Sequence, residues 1–564
     1  MGGRAWRAVV VVAVVAMAGW PAAEAGAASL TLTGFSPTSG HVGTVVTLTG
    51  TGFAADDLVT FNGVPIAPKS VATSGTSLKV MVPSFASSGP IMVESQSTGA
   101  KAGLPGSTFR VTPGLKLSAT HAYPGDNIVL TGSGLSPNQR DTIEIGSSRV
   151  GTALTDARGS FELGVSVPWS TKPGRTSLQV IDPSAGSVIV VLFVIGDWEQ
   201  ERHDAAGTGL DTYETVLSPS TVSGLKSHWA VPLPDVQHGG IPIGGLTTAE
   251  GLVFTGWVSG GVLPFSGDAG LAAVKASSGA LAWSYDADNY GFIQIIGAPV
   301  VANGVVYMVE GFGELLAFNA KTGTELWASQ ADAAGSGPVV ANGTLYLATN
   351  TGLEAFNTAN GLELWSTGTD LVGVAGLLGP PAVAATGTVI VSAGDGNLHA
   401  FNGSTGAPLW TKPGGGGAAP AIVGNVVYAG AADGSVYARQ VGNGSLVWSV
   451  ATGGKVLAPA VSGGVVYAPS FGGGSLLAIQ ASTGTTMWSV PIHPGSAPAV
   501  ANGVVYIDES DKAVHALDAS NGHDLWSVKP GDGVRTAPIV SNGQVLFGCN
   551  PSSTLDPCLL ADGL

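Results

Sequence analysis

The sequence predicts an all-β protein: two antiparallel sandwiches followed by an eight-bladed β-propeller over residues 197–564. Three observations carry that reading. Seven times an Ala is followed six residues later by Gly, and four residues after that by Trp, with no variation in spacing. Fixed self-similarity of this kind is the mark of a repeat architecture. Residues 29–196 alternate apolar and polar side chains between glycine-rich turns, the pattern of half-buried antiparallel strands. Charged residues make up 11% of the chain and glycine accounts for 85 positions. That mixture suits short strands joined by tight turns and is poor material for amphipathic surface helices.

The first 27 residues predict a secretory signal peptide. Arg4 and Arg7 supply the positive end, Ala8 to Ala18 the short apolar segment, and Ala23-Glu24-Ala25 or Ala25-Gly26-Ala27 the small-x-small cleavage site. No later apolar stretch reaches the roughly 20 residues a bilayer span needs. The chain is therefore expected to be secreted, extracellular or associated with the cell envelope.

Residues 29–112 contain Phe35-Ser36-Pro37-Thr38-Ser39-Gly40, then Gly43 through Phe53 with the run Val45-Val46-Thr47-Leu48-Thr49-Gly50. Val59-Thr60-Phe61-Asn62-Gly63, Val82-Pro83 and Phe109-Arg110-Val111 follow in order. The segment resembles an IPT/TIG domain, which implies an immunoglobulin-like fold used as a spacer or binding unit. Residues 113–196 repeat the style more loosely, with Tyr123-Pro124-Gly125-Asp126, Leu130 to Gly134 and Thr155 to Phe161, and predict a second immunoglobulin-like domain. Asp126 and Asp156 are read there as turn-formers rather than calcium ligands.

The seven triples are Ala273/Gly279/Trp283, Ala317/Gly323/Trp327, Ala355/Gly361/Trp365, Ala400/Gly406/Trp410, Ala438/Gly444/Trp448, Ala478/Gly484/Trp488 and Ala516/Gly522/Trp526. Between successive tryptophans a proline precedes a Gly and a Val/Tyr-rich strand, as in Ala298-Pro299 to Tyr307. Each repeat then parses into strands A to D of one blade. Trp229 is an eighth D strand without preceding A to C strands. Ala537-Pro538 through Phe547 offers A and B strands at the other end, and the tail can supply C. The two ends are expected to complete one blade, closing the ring without an open edge. Cys549 and Cys558, the only cysteines, are expected to form a structural disulfide there.

The short A–B and C–D turns share one face; the variable D–A and B–C loops share the other, where binding is expected. The candidate binding residues on that loop face are Asp286, Asp288, Tyr290, Lys455, His493 and Arg535. The acidic residues Asp508, Glu509 and Asp511 are read as a solvated rim, and His399 and His515 as packing positions. The net charge of −16 lies almost wholly in residues 198–564. It argues against nucleic acid and anionic membranes as partners.

The repeats resemble PQQ-type propeller repeats of the tryptophan-docking family, and Asp197-Trp198-Glu199-Gln200 with His203-Asp204 resembles that family's lead-in. The resemblance implies a structural role for Trp229, Trp283, Trp327, Trp365, Trp410, Trp448, Trp488 and Trp526, each packing between neighbouring blades. The family holds both quinoprotein dehydrogenases and non-catalytic propellers. Here no two cysteines are adjacent, and neither calcium ligands nor a catalytic aspartate can be placed. PQQ carries three carboxylates, which want several cationic partners, and the D–A loops offer only Lys412, Lys455, Lys529 and Arg535. The expected function is thus a non-enzymatic binding or scaffold protein with a protein or cell-envelope ligand on the loop face. No catalytic residues, metal site or cofactor are assigned; a secreted PQQ-dependent dehydrogenase with calcium is the alternative.

Overall fold

The computed structural model describes residues 29–564 apart from 84, 169, 184–185, 234–239, 260–268, 288–296, 311–312, 333–334, 350, 369–378, 510–512, 531–532, 535 and 550–558. The expected signal peptide therefore lies outside the described residues. In the first sandwich, one sheet runs Thr31–Ser36, Val45–Thr51, Ser77–Met81, Ser70–Val71, and the other Val64–Ile66, Leu58–Phe61, Ile91–Glu94, Lys101–Gly103. Alternate residues meet between the sheets, so Val46, Leu48, Val59, Phe61, Leu78, Val80 and Phe109 form a closed apolar core. The second sandwich packs a three-stranded sheet (Gly114–Leu117, Asn127–Ser133, Phe161–Ser166) against a five-stranded one centred on Gly174–Asp182.

The remaining strands form eight sheets of radial blades. Blade 1 comprises Gly240–Ala249, Leu252–Ser259, Ala269–Lys275 and Leu281–Ala287, and blades 2 to 7 follow in the same A-B-C-D order. Blade 8 takes Ile539–Ser541, Gln544–Gly548 and Leu559–Gly563 from the end of the chain and Lys226–Val231 from near its start. The ring closes as the tryptophan count predicts. Asn303, Asn342, Asn502 and Asn542 take positive φ in the A–B turns, each followed by a glycine that does the same. This is the backbone that the twist of a two-residue hairpin demands.

The structure explains why the Ala-Gly-Trp spacing is fixed. In every blade with a triple, the Ala of strand C lies directly opposite the Trp of strand D, as Ala317 faces Trp327 and Ala355 faces Trp365. The indole needs a neighbour no larger than a methyl group. Its ring then leans over the C–D turn of the next blade, and its Nε1 donates to a backbone carbonyl there. Trp229 reaches Ala276 at 2.7 Å, Trp283 reaches Ala320 at 2.8 Å and Trp410 reaches Val441 at 2.8 Å. The repeat glycine sits beneath the ring: a Cβ on Gly361 (φ +69°) would lie 2.5 Å from Trp327. Trp526 is the exception. Blade 8 has no C–D turn, because its C and D strands come from opposite ends of the chain. Trp526 packs instead against the closure core with Leu525 and Val528. Cys549 is buried at the end of strand B of blade 8, and Cys558 lies outside the described residues.

Candidate functional site

The propeller axis is occupied by the chain itself. Residues 198–214 make one lap around it, touching the innermost strands of blades 1 to 7 in turn and then the A–B turn of blade 8. The Trp198 carbonyl accepts from Thr248 of blade 1, and the Glu199 carbonyl accepts from Val301 of blade 2. The Gln200 side chain bonds both backbone groups of Val340 in blade 3. Ala205, Ala206, Thr208 and Gly209 then accept from Val383, Ile422, Val461 and Val500 of blades 4 to 7. Glu214 completes the circuit, accepting from Gly543 of blade 8 at 2.8 Å. Arg202 crosses to the far side, where its guanidinium donates to the Pro459 and Pro498 carbonyls at 2.6 and 3.2 Å. Burial lowers its pKa to about 10, an effect that Glu201 and Asp204 oppose.

The second sandwich docks on the A–B and C–D turn face. Lys321, in the C–D turn of blade 2, reaches Asp126 of the sandwich at 3.3 Å and Glu250 of blade 1 at 3.1 Å. Burial holds the Glu250 carboxyl above its ordinary range even so, because Lys321 offsets only part of the desolvation. Asp126 and Asp156 behave as turn-formers: Asp126 caps the Tyr123 amide at 2.9 Å, and Asp156 accepts from Arg158 and Ser160.

Between the sandwich, the axial segment and the turns of blades 5 and 6 lies a cavity of about 630 Å³. Asp197, Glu199, His203 and Asp204 line it, and among the described residues its wall holds no Lys or Arg. Burial and the neighbouring Glu250 push Glu199 up to about 7; burial and then Glu199 push Asp197 well above its ordinary value. PQQ carries three carboxylates, and the described wall supplies no Lys or Arg to pair them, so these residues do not fit PQQ. A small pocket of about 10 Å³ lies beside Arg202 and Pro420.

The described loop-face candidates belong to blades 1, 5 and 6. Asp286 is exposed at the end of a D strand, and Lys455 is exposed on a D–A loop. Asp288, Tyr290 and Arg535 lie outside the described residues. His493 is exposed, and its amide donates to Glu509 at 3.2 Å; His515 Nε2 approaches the same carboxylate at 3.2 Å. Asp508, bonded to Ser496, is pushed up to about 6 by burial. Lys412 belongs to strand Pro408–Pro413 rather than to a loop. His399 is buried between Asp395 at 3.0 Å and Thr411 at 3.2 Å, so carboxylate and hydroxyl partners hold it as well as packing. Sequence reasoning took residues 197–204 only as a lead-in. The available signal was charge density, since Asp197, Glu199, Glu201, Arg202, His203 and Asp204 crowd together in a chain otherwise poor in such groups.

Blade order, indole docking and the sandwiches define the class: an eight-bladed, tryptophan-docked propeller carried on immunoglobulin-like domains. A family model described as outer membrane protein assembly factor BamB matches residues 226–370, 350–493 and 472–549, more than half of the chain. The chain belongs to that family, and residues 30–111 are an IPT/TIG domain. The outer membrane protein assembly factor BamB of Moranella endobia is 29% identical over 281 residues, covering 43% of this chain and 70% of that protein. A tetrathionate hydrolase of Acidithiobacillus ferrooxidans is 25% identical over 298 residues, 47% of this chain and 56% of that protein. Among solved structures, a quinohemoprotein alcohol dehydrogenase from Pseudomonas putida shares the fold with a TM-score of 0.53 at 16% identity, covering 65% of this chain and 80% of that one. A europium-containing methanol dehydrogenase does so with a TM-score of 0.52 at 14% identity, covering 65% and 98%.

Proposed function

We propose that this is an exported, non-catalytic binding or scaffold protein that presents the D–A and B–C loop face of its propeller to a protein or cell-envelope partner. The observation that carries the reading is the filled axis. Residues 198–214 bond to all eight blades where a central cofactor would need room, and Arg202 is already committed to Pro459 and Pro498. Docking of the second sandwich on the turn face supports the same reading, since it leaves the variable loops unobstructed. Kinship with proteins named as outer membrane assembly factors supports a partner in the envelope. Fold alone does not decide between scaffold and enzyme, because one fold hosts both.

The test is titration of the purified protein with PQQ, with and without calcium, followed by a dye-linked alcohol oxidation assay. Neither binding nor turnover is expected. A parallel pull-down from envelope extract should recover a partner that is lost when Lys455 and His493 are both changed to Glu. Stoichiometric PQQ binding with turnover would replace the scaffold reading by the dehydrogenase one.

A further inference from the structure

A sheet edge is a row of unpaired amides and carbonyls that can template another strand unless it is blunted. Most edges of the two sandwiches are blunted. Lys101–Gly103, Gly114–Leu117, Ser148–Leu154 and Phe161–Ser166 each carry a charge, and Val64–Ile66 carries Pro65. Thr31–Ser36 pairs through a bulge, and Ser70–Val71 is only two residues long. Gly186–Val194 differs from all of these. It is nine residues long, without charge or proline, and pairs in unbroken register with Gly174–Asp182. On its other side only Phe193 and Val194 are paired, with His121 and Ala122. Upstream of His121 the covering chain leaves for the opposite sheet, where Gly114–Leu117 pairs with Asn127–Ser133. The Phe193 amide donates to the Thr120 carbonyl on this side. Backbone groups alternate in direction along a regular strand, so those of Ser187, Ile189 and Val191 face the same way, toward a position that no described strand fills. Ile189 is 60% exposed, and a Cβ added at Gly186 would meet nothing within 4 Å.

We infer that this edge pairs antiparallel with the same edge of a second copy, joining two chains through one continuous sheet. The free backbone groups call for a strand, and the side chains beside them call for an uncharged one. Val188 and Val190 pack toward the core while Ile189 and Val191 point outward, so a charge on an incoming strand would lie against apolar neighbours on either face. Gly186–Val194 itself meets that description. A twofold axis at Ile189 sets Ser187 opposite Val191 and Ile189 opposite its own equivalent, so the contact is self-complementary. Repulsion does not oppose it: residues 113–196 hold six basic and six acidic side chains, and the net charge of −16 lies in residues 198–564. The edge belongs to the second sandwich and not to the loops proposed to meet an envelope partner, so either assignment can fail without the other.

Sedimentation velocity of the purified full chain across the micromolar range tests the inference. One strand from each copy makes a small interface, so a reversible monomer–dimer equilibrium is expected rather than a permanent dimer. Ile189→Lys and Ile189→Glu each replace an apolar pair at the axis by a like-charged one, and each should raise the dissociation constant about tenfold. Their equimolar mixture should regain the dimer, because unlike charges then face each other. Amide exchange of the unaltered chain needs no variant: Ser187, Ile189 and Val191 should be protected at high protein concentration and lose that protection on dilution. A chain that stays monomeric throughout, a dimer that both variants leave intact, a mixture no tighter than either variant alone, or exchange at these three amides independent of concentration would each overturn the assignment. The exchange measurement keeps the test decisive even if a variant fails to fold.

Discussion

An indole ring that must lean out of its own sheet, and over the next, needs a small residue opposite and a glycine beneath. Ala355 and Trp365 meet the first requirement, and Gly406 under Trp365 meets the second. The two costs at such a glycine are separable. Gly361 has φ +69°, and an added Cβ would lie 2.5 Å from Trp327; Gly387 has φ +83° with nothing within 4 Å. Gly387→Ala should therefore cost only the left-handed strain, about 1–2 kcal/mol. Gly361→Ala should add an overpacking cost of about 1–3 kcal/mol. Urea denaturation of both variants checks this, and equal losses would show that the ring contact contributes nothing. This layer was legible in the sequence because a packing constraint that recurs in each blade leaves a fixed spacing. The cavity residues were not, since Glu199 and His203 occur once and no period points to them.

At the level of elements, the ring is held closed in two places. The strand Leu559–Gly563 lies between Gln544–Gly548 and Lys226–Val231, with Leu559 and Ala561 fully buried. Removing residues 559–564 should strip Trp229 of its paired strand and abolish cooperative unfolding of the propeller, as followed by calorimetry. A single transition at the original temperature would mean that closure lies elsewhere. The second fastening is the axial segment. Arg202→Met leaves the Pro459 and Pro498 carbonyls without their donor, at about 1–3 kcal/mol for each group left unsatisfied. Amide exchange should then quicken in Ala460–Ser462 and Ala499–Ala501 more than in Val339–Ala341, where Gln200 still holds blade 3. Uniform exchange across the blades would contradict this. Shared closure could be read from the stray tryptophan at residue 229. The lap around the axis could not, because most of its bonds are backbone to backbone and any sequence could make them.

Over the whole molecule, the buried carboxyls set the response to pH. Burial is the leading cause of several upward shifts, among them Asp141 and Asp508, pushed up to about 6, and Glu199 and Glu310, pushed up to about 7. Their unfolded values are those of ordinary carboxylates, so between about pH 4 and pH 7 the folded state holds more protons than the unfolded one. Stability then falls as pH rises through that window. Asp395 and Asp518 are shifted downward by hydrogen bonds and act in the opposite sense, but only where pH drops below the usual carboxylate range. The melting temperature should thus peak near pH 5 and decline toward pH 7.5. Self-repulsion in a chain of net charge −16 and pI 4.8 would give a similar profile without any special residue. Two variants that each remove one negative charge separate the causes. Glu199→Gln should raise the melting temperature at pH 7.5 and flatten the decline, because its pKa shift is worth about 1.4 kcal/mol per unit. Glu325→Gln, on an exposed D strand, should change neither. If the two variants behave alike, general repulsion governs the profile and the carboxylate under the second sandwich has no special part in it.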